Sequence, residues 1–97
     1  MSNDGELPVE LSRCREEIEN IDREIIDLLR RRLDIAQRTG ELKREHGLPI
    51  LDPQREAKVV RSAVANARDA GLPEEPVREI FWHILGLSRK AQQTHRE

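Results

Sequence analysis

Small and apolar residues recur at alternating steps of three and four along the first part of the chain: Leu11, Cys14, Ile18, Ile21, Ile25, Leu28, Arg32, Ile35, Thr39 and Leu42, with one arginine in the series. That spacing keeps side chains on one stripe of an α-helix and predicts a helix from roughly Leu7 to His46. A helix of about forty residues is long for a globular domain. Two short helices of the same chain cannot cover it, so the pattern predicts pairing with a second copy. Gly47, with Pro49 just beyond, provides the stop. Asp52-Pro53 reads as an N-cap followed by proline at the first helical position. Glu56, Val59, Val60, Ala63, Val64 and Ala67 then make one face of a second helix that runs to about Ala70 and ends at Gly71. Pro73 and Pro76 are both tolerated around the first turn of a third helix, which carries Val77, Ile80, Phe81, Ile84, Leu85, Leu87, Ser88 and Gln92. The segment Leu48 to Leu51 is too short, and holds a proline, for a strand. The expectation is an all-α chain of one long and two shorter helices. A single domain spans 7–95, residues 1–6 are flexible, and the tail from Thr94 is loose.

Composition narrows the class. The chain has 97 residues, 37% of them charged and 2% aromatic, which suits long helices rather than a sheet sandwich. A chain of this size buries a modest core, a second reason to expect self-association. The net charge of −2 arises from interspersed acids and bases. Such a surface offers no nucleic-acid-binding face, and the scarce aromatics remove the usual stacking platform. No stretch approaches the roughly 20 apolar residues of a membrane span. The opening MSNDGELP is polar and acidic, unlike a secretory signal, and a reducing, cytoplasmic setting is expected. Cys14 stands alone, which excludes an internal disulfide, and its place on the seam makes it a small core residue.

A guanidinium inside the seam costs several kcal/mol unless something anionic meets it. Arg32 has company: Lys43 follows eleven residues later, about 20° away on the same face. Two cations on one face make a receptor for a dianion. The plainer alternatives are that Lys43 snorkels to solvent or that both pair with acids of the same fold. Glu56 opens the apolar face of the second helix, where a first-turn glutamate is also favoured by the helix dipole. On the third helix Phe81, Leu85, Ser88 and Gln92 follow at steps of four, three and four, turning from apolar to polar on one face; fraying toward the C-terminus is the alternative. Gly40 inside the first helix costs about 1 kcal/mol relative to alanine. It reads equally as a close approach by a backbone or ligand and as a tolerated defect. His46, His83 and His95 share no metal-ligand spacing with one another or with Cys14. Ser88 shows no His–Asp constellation, and no glycine-rich phosphate loop is present. An enzyme built from these residues works by positioning and electrostatics.

The motifs Arg15-Glu16-Glu17-Ile18 with Ile21-Asp22, Leu28-Leu29-Arg30-Arg31-Arg32, Gly40-Glu41-Leu42-Lys43, Leu48-Pro49-Ile50 with Asp52-Pro53-Gln54-Arg55-Glu56, and Ser88 with Gln92 occur in this order. Together they resemble the all-helical class of chorismate mutases over residues 7–95. The resemblance implies an intertwined homodimer whose long helices pair antiparallel, with two equivalent shared sites. It implies rearrangement of chorismate to prephenate without a cofactor or metal. By the same resemblance Arg32, with Arg15 from the partner chain, binds the two substrate carboxylates. Lys43 and Gln92 bond the ether oxygen, Glu56 and the backbone near Asp52 hold the ring hydroxyl, Ser88 contacts a carboxylate, and Arg55 supports the set. The spacing agrees, because seventeen residues separate Arg15 from Arg32, about 25 Å along one helix. One small molecule therefore meets both only if a second chain supplies one of them.

Related readings compete on the same scaffold. An isochorismate pyruvate-lyase shares the clamps and the lysine, but the intact segment Asp52 to Glu56 favours a mutase. An aminodeoxychorismate mutase differs at the ring substituent, and Glu56 accepts a hydrogen bond from a hydroxyl or an ammonium alike. A non-catalytic metabolite-binding or regulatory helical dimer, acting on a partner enzyme in trans, is the alternative of another class. The complete polar set argues against it.

Overall fold

A computed structural model of the chain describes residues 7–94. The expected flexible start, residues 1–6, and residues 95–97 lie outside the described residues; Thr94, expected to begin a loose tail, is instead tied to the end of the last helix, its hydroxyl donating to the Lys90 carbonyl at 3.0 Å. Three helices follow one another: α1 (Val9–Glu45), α2 (Pro53–Asp69) and α3 (Glu74–Gln93). The order and types match the expected pattern, and no strand occurs among the described residues. The long helix is two residues shorter at its start and one at its end than the apolar pattern predicts.

The chain divides into two units, Met1–Arg31 and Arg32–Glu97. The first unit is the N-terminal part of α1. Its seam residues Leu11, Ile18, Ile21, Ile25 and Leu28 are all exposed, and so is Cys14. The reading of Cys14 as a core residue is thus corrected for the single chain. One amphipathic helix has no second apolar surface of its own on which to bury a seam.

The second unit holds the core. Val60 and Val64 of α2 and Leu85 of α3 form its centre, with Val59 packed against them. Ala63 and Ala67 are buried on the same α2 face. Each large aliphatic removed from water here contributes about 1.5–3 kcal/mol. In α1 the buried residues are Ala36 and Gly40, one helical turn apart, rather than the predicted seam positions. At Gly40 a neighbouring backbone comes close. A Cβ built on Gly40 stands 2.2 Å from the carbonyl oxygen of Gln92. The two readings of Gly40 are thereby decided in favour of backbone approach. On α3, Ile80 and Leu87 are exposed although the pattern placed them with the buried face. That face is the narrower stripe of Phe81, Leu85, Ser88 and Gln92.

The ends are set by local chemistry. Gly47 and Gly71 adopt φ of 67° and 72°, the left-handed region that glycine enters without strain. Behind each, the next amide reaches back into the last turn: Leu48 N–H donates to Lys43 at 2.8 Å, and Leu72 N–H to Ala67 at 2.8 Å. This pairing satisfies carbonyls that a helix end leaves open. Asp52 caps α2 by accepting from Arg55 N–H at 3.1 Å. Pro73 stands at the N-cap of α3 without a side-chain cap. Pro76 sits in the first turn, where its missing N–H removes no helical bond. Arg68 and Glu74 join the two helices across the intervening turn at 2.8 Å. Their hydrogen bond, and then their charge, hold the Glu74 carboxyl below its ordinary value.

Candidate functional site

The second unit carries an open cavity of about 450 Å³, within the range of small-molecule sites. Ile35, Val59 and Leu85 give it apolar walls, and Ile50, in the segment before α2, lines it as well. Of the residues singled out from sequence, Arg32, Lys43, Asp52, Arg55, Glu56, Ser88 and Gln92 all line it. They come from all three helices and, in Asp52, from the N-cap of α2. Arg15 belongs to the first unit and is not among the lining residues.

Arg32, Lys43, Asp52, Glu56, Ser88 and Gln92 are each held by a neighbour. Arg32 donates to the hydroxyl of Ser88, and Ser88 donates in turn to the carbonyl of Ile84 at 3.1 Å. Ser88 is the buried polar residue of α3, and these two bonds satisfy it. Lys43 Nζ donates to the Ile50 carbonyl at 2.9 Å and to Gln92 Oε1 at 2.7 Å. An ammonium has three N–H groups, so two fix its direction and the third is left for a ligand. Because the oxygen of Gln92 is taken by Lys43, its amide N–H groups are the part left to donate. The first helix therefore presents two fixed cations, oriented by side chains of α3 and by the Ile50 carbonyl.

The electrostatics are those of an anion site. Burial, followed by the positive field of Arg55, holds the Arg32 guanidinium below its ordinary value. A guanidinium remains charged even so. Desolvation and a neighbouring cation both disfavour that charge, and the opposite charge of an incoming anion offsets them. Near the α2 end of the cavity Asp52 is occupied by its cap, while Glu56 accepts from Arg89 Nε at 3.0 Å. The groups suit a molecule with anionic and hydroxyl substituents around an apolar body. The alternatives in which Lys43 snorkels to solvent or pairs with an acid of the fold do not describe Lys43, whose bonds go to a carbonyl and an amide oxygen.

Two features escape the sequence pattern, and a third, at Gly40, is left open by it. Arg89 secures Glu56 although it is not a lining residue. Arg44 donates to the carbonyls of Gln92 at 2.6 Å and Thr94 at 3.3 Å, pinning the end of α3 beside Lys43. Gly40 admits that same backbone. A basic residue beside each predicted one, Arg44 after Lys43 and Arg89 after Ser88, was the available signal. It becomes informative only once the register between helices is known.

Comparison with known proteins gives a consistent picture. Residues 14–93 match the family described as chorismate mutase type II. A T-protein of Enterobacter agglomerans is 33% identical over 79 residues, covering 81% of this chain and 21% of that protein. The chain thus spans about a fifth of the length of the T-proteins it matches. A 4-amino-4-deoxychorismate mutase of Streptomyces venezuelae is 38% identical over 76 residues, 78% of this chain and 74% of that protein. A solved structure of a conserved hypothetical protein from Pyrococcus furiosus superposes with a TM-score of 0.71 at 40% identity, over 90% of this chain and 100% of that one.

Proposed function

The chain belongs to the chorismate mutase type II family, and from that premise we propose that it is an isomerase converting chorismate to prephenate, with the cavity between its three helices as the active site. The observation that carries this reading is the position of Lys43 Nζ, fixed between the Ile50 carbonyl and Gln92 Oε1 in the cavity that Arg32 also lines.

The reaction breaks a C–O bond while a C–C bond forms within one molecule, and no proton is transferred. The protein therefore needs no general acid or base. It must hold the substrate in its compact reactive conformer, for which effective concentration alone is worth several kcal/mol. Arg32, with Ser88 beside it, clamps one carboxylate. Arg15 of a second chain clamps the other in an antiparallel homodimer with two shared sites. The exposed seam of α1 is the surface on which that dimer forms. Negative charge grows on the ether oxygen as the C–O bond stretches. The third N–H of Lys43 and the amide N–H of Gln92 answer it with donors that are already in place. Gln92 donates at every working pH, since an amide does not titrate. Glu56, with the backbone at Asp52, holds the ring hydroxyl, and Arg55 supports the set. A free cysteine and a mixed-charge surface suit a cytoplasmic setting. No described helix is long and apolar enough to cross a membrane.

The Streptomyces relative raises a second reading, that the substrate carries an amino group where chorismate has its hydroxyl. The test is purified protein incubated separately with chorismate, isochorismate and 4-amino-4-deoxychorismate, following loss of each. Accelerated loss of chorismate with prephenate as product is expected. Acceleration confined to either of the others overturns the reading.

A further inference from the structure

Glu56 is the acidic side chain proposed to meet the ring substituent, and by itself it accepts equally well from a hydroxyl or an ammonium. The structure adds a group that does not treat the two alike. Arg89 reaches Glu56 from outside the cavity lining, Nε to Oε2 at 3.0 Å. The pair is partly shielded, with Glu56 19% exposed and Arg89 39%. Around it the same cavity holds Arg32, Lys43 and Arg55 as cations, and Asp52 as the other carboxylate, engaged with the start of α2.

We infer that Arg89 is a specificity-determining positioning residue: by pairing with Glu56 it neutralises that carboxylate's charge while leaving it lone pairs, so the site accepts a neutral ring hydroxyl and rejects an ammonium. This rests on the proposed mutase reading. The physical basis is the difference between dipolar and ionic partners. A hydroxyl needs an acceptor oxygen, and the carboxylate oxygen not bonded to Arg89 supplies one. An ammonium loses more hydration than a hydroxyl, and net negative charge opposite it offsets that cost. Here it meets a carboxylate already paired, with a guanidinium behind it and further cations around the cavity. Charge placed against an intended competitor is a common route to discrimination. Arg89 also fixes the Glu56 rotamer, which lowers the ordering cost of binding a hydroxyl.

The experiment measures kcat and KM for chorismate and for 4-amino-4-deoxychorismate with the wild-type protein, Arg89→Gln, Arg89→Lys and the Glu56→Gln background. Wild type is expected to favour chorismate. Arg89→Gln exposes a bare carboxylate and should raise the amino-to-hydroxyl ratio of kcat/KM at least tenfold, with most of the change in KM. Arg89→Lys keeps the charge and should hold the ratio within about threefold of wild type. In the Glu56→Gln background, Arg89→Gln should leave the ratio unmoved, because Arg89 acts through Glu56. Parallel loss of both substrates in Arg89→Gln, or an unchanged ratio with chorismate turnover retained, overturns the inference and leaves the mutase reading standing. A wild-type protein inactive on both substrates overturns the mutase reading itself.

Discussion

Gly40 fixes how closely the backbone of α3 can lie against α1. The carbonyl of Gln92 occupies the space a side chain would need, at 2.2 Å from a Cβ. The neighbour is backbone, which cannot swing aside. Gly40→Ala must therefore push the end of α3 outward, moving Gln92 from Lys43 and straining the Arg44 bonds that hold it. Overpacking of this kind costs about 1–3 kcal/mol, and displacement of a positioned group by about 1 Å lowers turnover on the order of a hundredfold. Urea unfolding together with steady-state turnover checks both effects. Gly86 provides the contrast, since nothing lies within 4 Å of a Cβ built there. Gly86→Ala should gain about 0.5–1 kcal/mol in the same unfolding experiment. Sequence marks Gly40 and Gly86 alike as helical glycines. Only the packing distinguishes them, because the difference depends on which residue of a distant helix arrives opposite.

Helices were legible at the scale of elements because their signals are local. Asp52-Pro53 marks the start of α2, and Gly47 and Gly71 mark two ends, through chemistry that acts within a few residues. The inward faces of α2 and of the Phe81–Gln92 stripe followed from period alone. Register between helices did not. The pairing of Glu56 with Arg89 and the clasp of Arg44 on α3 join residues more than thirty positions apart, and no local pattern encodes which side chains will meet. The cap at Asp52 belongs to both levels, since the residue starts α2 and also lines the cavity. Asp52→Ala removes the acceptor for Arg55 N–H and should cost about 1 kcal/mol of stability, while Asp52→Asn retains most of it. Thermal unfolding followed by circular dichroism distinguishes the two variants.

For the whole molecule, what the single chain leaves uncovered becomes informative. The α1 seam predicted from sequence is apolar and exposed. Arg15 is not among the lining residues of the cavity in the second unit. The proposed dimer accounts for both, since a second α1 covers the seam and brings its own arginine to the site. A complete site then takes Lys43 from one chain and Arg15 from the other. Subunit mixing tests this central claim most directly. Arg15→Ala and Lys43→Ala proteins, each alone, should turn over chorismate at least about a hundredfold more slowly than wild type, as expected for loss of a charged clamp or donor. Unfolded together and refolded as an equal mixture, they form mixed dimers in half of all pairings. Each mixed dimer has one site lacking both side chains and one site lacking neither. The mixture should therefore recover about a quarter of wild-type turnover, as symmetric pairing requires. A mixture no more active than its separate components would contradict the shared site.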